Sequence, residues 1–86
     1  MNPHEVILYP MMTERSVYMI ENENKLVFVV DRRSTKHDIS GAVRALYGVE
    51  AEKVNTLITN RGEKKAFVKL KEGYDASDLA IRLGIL

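Results

Sequence analysis

Val54-Asn55-Thr56-Leu57-Ile58-Thr59-Asn60-Arg61-Gly62-Glu63-Lys64-Lys65-Ala66-Phe67-Val68-Lys69-Leu70 is the stretch that decides the fold. Two β-favouring runs flank Asn60-Arg61-Gly62, a hairpin-turn composition with glycine available where the backbone needs positive φ. In the second run Ala66, Val68 and Leu70 alternate with Lys65, Phe67, Lys69 and Lys71. Successive strand side chains point to opposite faces, so one face is apolar and the other sets lysines around an aromatic ring. The first run sorts the same way, with Val54, Thr56 and Ile58 against Asn55, Leu57 and Thr59. Such a ribbon can pack a core on one side and meet an anionic partner on the other.

Upstream of the hairpin, Thr35 and Asp38 have capping-box spacing. Ile39, Ala42, Val43, Leu46 and Tyr47 then form one apolar stripe, and Gly48 stands where a left-handed terminus is wanted. This predicts a helix over 36–47. Leu26 to Val30 is apolar on both faces, the mark of a strand inside a sheet. Before it, Val6 to Tyr9 is a short β-favouring run ended by Pro10, suited to an edge strand. Thr13 caps a helix from Glu14 to about Glu21 that stops in Asn22-Glu23-Asn24. Downstream, Asp75 caps a last helix over 76–83, ended by Gly84.

The order strand, helix, strand, helix, strand, strand, helix predicts an α+β two-layer sandwich. Its sheet is mostly antiparallel, of three to four strands, with three helices on one face. The other face would show Val27, Val29, Asn55, Leu57, Lys65, Phe67 and Lys69, with no element left over to cover it. Half apolar and half cationic, it reads as an interaction surface.

Eighty-six residues make one domain, 1–86, with a modest core. An apolar content of 45% argues against a disordered chain, and the absence of cysteine removes disulfides and thiolate chemistry. The apolar run 26–30 is far too short for a membrane span, and the first residues lack the basic leader of a signal peptide. Net charge is only +1. Placement matters more: Arg61, Lys64, Lys65, Lys69 and Lys71 stand against the single acid Glu63 between 61 and 71.

Catalytic chemistry has little to stand on. His4 and His37 lack neighbours at metal-ligand spacing, and the pairs Glu21/Glu23 and Glu50/Glu52 sit in turn-like contexts. No phosphate-cradling glycine loop or nucleophile elbow is present. The chain reads as no enzyme, with no cofactor, no metal and no small-molecule substrate. Nucleic acid has the stronger case: Arg61, Lys65 and Lys69 lie along a ribbon with Asn55, Thr59 and Asn60 adjacent, and Phe67 is placed to stack on an unpaired base. The competing explanation is that outer-face lysines only keep a strand soluble. A second cationic group, Arg32, Arg33 and Lys36, precedes the main helix and would be joined by Arg15 and Lys25 if the first helix ends nearby. Arg61-Gly62 followed by Ala66-Phe67-Val68 has some likeness to the RNA-recognition-motif signature, but Glu63-Lys64-Lys65 interrupts it and the element order differs.

Several segments together resemble one family: Leu8-Tyr9-Pro10, Thr13-Glu14-Arg15-Ser16, Asn24-Lys25-Leu26, Lys36 with Ile39, Ala42-Val43, Val54-Asn55-Thr56 and 64–70. The chain resembles ribosomal protein twenty-three of the large subunit, found beside the exit of the nascent-chain tunnel. The resemblance spans nearly the whole chain in the right order. It implies a cytoplasmic, ribosome-bound protein that binds large-subunit ribosomal RNA and contacts a neighbouring small helical ribosomal protein. It also implies an exposed rim where signal recognition particle and other nascent-chain factors dock. Carried over by residue, RNA contacts would centre on Thr13, Arg15, Lys36, Asn55, Thr56, Lys64 and Lys65; the face argument adds Lys25, Arg61 and Lys69. Bacterial members carry a long hairpin loop into the tunnel and eukaryotic members a basic N-terminal extension. Neither is present here, so the compact form resembles the archaeal one and no tunnel-lining role is expected. The alternative is a protein-interaction module whose anchors would be Val27, Val29, Leu57 and Phe67.

Overall fold

Capping chemistry sets most of the element boundaries. In the computed structural model, which describes residues 1–86, a single turn α1 (Pro3–Val6) starts the chain, with Asn2 as its cap and Pro3 at its first position. It leads straight into strand β1 (Ile7–Pro10). This turn precedes the strand expected over Val6 to Tyr9, and Asn2-Pro3 is its local signal. Helix α2 (Glu14–Glu23) is capped by Thr13, which exchanges hydrogen bonds with Ser16, and ends at Asn24, inside the expected Asn22-Glu23-Asn24 stop, in the left-handed region with φ 54°. Strand β2 covers Lys25–Val30. Helix α3 (Lys36–Tyr47) carries the Thr35/Asp38 capping box and the left-handed Gly48. Strands β3 (Ala51–Ile58) and β4 (Lys64–Leu70) form the hairpin, and α4 (Ala76–Arg82) follows its Asp75 cap.

All strand pairs are antiparallel in the order β1-β2-β4-β3, which places β2 inside the sheet and leaves β1 and β3 as edges. Pro10, unable to donate, ends an edge strand. The hairpin closes through Asn60-Arg61-Gly62: Thr59 N–H donates to the Glu63 carbonyl (2.8 Å) and Gly62 N–H to the Thr59 carbonyl (2.9 Å). Gly62 takes φ 84°, the left-handed position such a turn needs.

The core lies where the apolar parity said. Leu26, Phe28 and Val30 of β2 and Ala66, Val68 and Leu70 of β4 meet Ile39, Ala42 and Val43 of α3, Leu79 and Ala80 of α4, and Ile20 of α2. Phe28 is fully buried and stacks on Tyr47 with ring centroids 5.9 Å apart. Removing a ring so placed costs about 3–5 kcal/mol. Asn24 ties the helices to the sheet. Its Oδ1 accepts from Ala76 N–H (2.7 Å), at the start of α4, and its Nδ2 donates to the Tyr74 carbonyl (2.9 Å).

The result is the α+β two-layer sandwich, with four strands and a fourth, one-turn helix. One expectation needs correction. The second face is not left bare by the rest of the chain: Val27 and Val29 are 5% and 2% exposed. Helix α2 explains part of this, because it sends Ile20 into the main core while Met19 is buried on the other side, in a hollow shared with Val27 and Phe67. A helix that buries adjacent residues on two sides must sit at the margin of the sheet and not squarely on one face.

Candidate nucleic-acid interface

Register places the second-face side chains in rows. Lys25, Lys69 and Lys53 stand directly opposite one another across β2, β4 and β3; Val27, Phe67 and Asn55 form the next row, and Val29, Lys65 and Leu57 the third. Directly paired residues have Cβ atoms about 4.5–5.5 Å apart, close enough for like charges to repel. Three lysines in one row therefore repel one another except where an anion meets them, and Glu52 shares the concavity they line.

Two of the three have partial partners. Lys25 Nζ is 3.1 Å from Glu23 Oε1, and Lys69 Nζ donates to the Glu23 main-chain carbonyl at 2.9 Å. That carbonyl is at the C-terminal end of α2, where a cation is favoured. Lys53 is exposed and makes no ion pair. It lies outside the run expected from Val54, because β3 begins three residues earlier, at Ala51. Its parity with Asn55 and Leu57 was the available signal; the bulge between Ala51 and Lys53, which sets it against Lys69, was not visible.

Of the ten sequence candidates, Lys25, Asn55, Lys65 and Lys69 lie on this face. Arg15 and Thr13 border it, lining with Lys65 a hollow floored by Val27, Met19 and Phe67. Arg61 is exposed at the hairpin tip and shares a shallow concavity with Lys65, Thr59 and Asn60. Three candidates stand apart. Thr56 pairs with Ala66 on the helix side of the sheet. Lys36 is exposed at the start of α3. Lys64 pairs with Val30 and donates from Nζ to the Ser34 carbonyl at 2.6 Å, a contact that ties β4 to the loop before α3.

Lys64 instead joins the second cationic group. With Arg32 and Arg33 it lines a concavity beside Leu8 and Tyr9. Arg33 is tied to Asp31 through Nε (3.0 Å) and Nη2 (3.1 Å), and these hydrogen bonds hold the Asp31 carboxyl below its ordinary value. Arg32 lies over the hairpin, its Nη1 3.3 Å from where a Cβ on Gly62 would stand. Arg15 and Lys25 do not belong to this group. Lys25 is at the far end of β2 from Arg32, and the strand between them, Lys25 to Val30, alone spans roughly 17 Å. The hairpin's acid, Glu63, accepts from the Tyr9 hydroxyl at 2.8 Å, which pushes the Tyr9 pKa up.

The fold and the face together define a class of small α+β sandwich, antiparallel, with one sheet face ordered into cationic and apolar rows. The comparisons are more specific. The family model described as Ribosomal protein L23 matches residues 5–77. The chain is 48% identical over 85 residues to the large ribosomal subunit protein uL23 of Methanococcus aeolicus, covering 99% of both chains. It is 46% identical over 85 residues to that of Methanococcus vannielii, again covering 99% of both. The chain belongs to the ribosomal protein L23 family, a family that is structural and not enzymatic. Relatives from Methanococcus accord with the archaeal character of the compact form.

Proposed function

We propose that this chain is a structural constituent of the large ribosomal subunit and binds large-subunit ribosomal RNA through the second face of its sheet. The observation that carries the RNA reading is the row Lys25-Lys69-Lys53. Cations held in register repel one another in the free protein and are relieved by phosphates, whose contacts position without reading sequence. Lys65, Arg15 and Arg61 extend the positive field along the face and up the hairpin.

Family membership supports the finer placement: near the exit of the polypeptide tunnel, beside a small helical ribosomal protein, with the exposed rim helping to dock signal recognition particle and other nascent-chain factors. It likewise supports a place on cytoplasmic ribosomes. The protein-interaction alternative loses two of its four anchors, since Val27 and Val29 are covered by the chain itself.

The test is binding to large-subunit RNA fragments across a salt series. Each phosphate neutralised contributes about 0.7–0.9 to the log–log salt slope, so Lys53→Gln and Lys65→Gln should each flatten it. A flat response in the unsubstituted protein refutes the RNA reading. Sedimentation with large subunits after a high-salt wash tests the assembly.

A further inference from the structure

The hollow between the start of α2 and the second face has a composition that the lysine row does not explain. Met11, Met19, Val27, Leu57 and Phe67 supply apolar walls, Arg15 and Lys65 supply charge, and no carboxylate lines it. At about 180 Å³ it is smaller than the roughly 300–1,000 Å³ usual for a whole small-molecule ligand. A fragment the size of one flat ring suits it better.

The polar groups at its edge are already committed. Thr13 Oγ1 accepts from Ser16 N–H (3.1 Å). Ser16 Oγ accepts from Thr13 N–H (2.8 Å) and lies within donating distance of the Met11 and Thr13 carbonyls (3.1 and 2.9 Å). What remains on offer is an aromatic ring, thioether and aliphatic walls, and two cations. Stacking with flanking positive charge is how unpaired bases are held without a hydrogen-bond code.

We infer that this hollow receives a single unstacked nucleobase of the bound RNA against Phe67, with Arg15 and Lys65 on the adjoining phosphates. The inference deepens the RNA reading and rests on it. The free hydrogen-bond donors are the two long cationic side chains, so the pocket accepts bases by shape and tolerates changes of sequence.

The test uses the full-length chain and two probes of equal length and charge: a short oligoadenylate carrying one 2-aminopurine, and an abasic ribose-phosphate strand. The base-bearing strand should bind more tightly, change its 2-aminopurine fluorescence, and move the methyl signals of Met19 and Val27. Phe67→Leu, which keeps apolar volume, should weaken it roughly fivefold or more while leaving abasic binding unchanged. Lys53→Gln should weaken both probes alike. Equal binding of the two probes, with Phe67→Leu affecting neither, overturns the nucleobase pocket and leaves RNA binding intact. No binding of either probe by a protein that still binds large-subunit RNA fragments overturns the nucleobase pocket alone, and loss of binding to those fragments as well overturns both readings. An amphipathic peptide that moves the Met19 and Val27 signals where the oligonucleotides do not assigns the hollow to a protein partner and overturns the inference.

Discussion

Replacing Lys53 by glutamate should stabilise the free protein and weaken its hold on RNA. Lys53 is exposed and stands directly across from Lys69, which itself faces Lys25 on its other side. A directly opposed pair is worth about 0.2–1 kcal/mol, unfavourable for like charges and favourable for opposite ones. Solvent exposure puts the pair at the low end, so turning repulsion into attraction should add about 0.5–1 kcal/mol at low ionic strength. For a domain of this size that raises Tm by roughly 2–8 °C. The gain should shrink in salt, because the Debye length falls from about 30 Å at 0.01 M to about 3 Å at 1 M. Thermal unfolding at low and high salt measures one half. RNA binding across salt measures the other, where the slope should drop by about 1 or somewhat more. Stability and binding moving in opposite directions is the signature of a row kept for its ligand. A variant that is destabilised, or one that gains stability in a salt-independent way, would refute the register argument. Unchanged RNA affinity would refute the role of this face.

Three further outcomes follow from the contacts. Lys64→Met should cost about 1–2 kcal/mol in urea unfolding, because the Ser34 carbonyl loses a half-buried charged donor, with little change in RNA salt slope; Lys65→Met should do the reverse. Asn24→Ala should cost about 2–4 kcal/mol, since it removes the bonds to Ala76 and Tyr74 and leaves a Cβ residue at φ 54°; Asn24→Gly should recover only the backbone part. Glu50 accepts from the Tyr74 hydroxyl (3.0 Å) and Lys71 (3.2 Å), which hold its carboxyl below the ordinary 4.5. A carboxyl depressed in the folded state stabilises above its unfolded pKa and loses that contribution as pH falls through the folded value. Tyr74→Phe should therefore be less stable at neutral pH, with the difference closing below about pH 4.5 in acid-unfolding curves.

Features whose signals are local are legible in the chain itself. The Thr35/Asp38 box and Gly48 bound α3, Asp75 begins α4, and the alternation in 64–70 divides β4 into a core face and a cationic face. Those features are set by backbone hydrogen bonds and side-chain parity within a few residues, which is why the chain alone carries them. Lys53 shares the parity of Asn55 and Leu57 in the chain, but its place opposite Lys69 depends on a bulge, and the partner's register is not written in either strand by itself. Lys64 and Lys65 look interchangeable in the chain, yet parity and a carbonyl 30 residues earlier make one a structural tie and leave the other on the second face. The cover over Val27 and the hollow beside Phe67 likewise needed α2 to come to rest at the sheet margin. Short-range chemistry chose the elements; only packing between segments distant in sequence decided which charges were used up inside the protein and which remained for a partner.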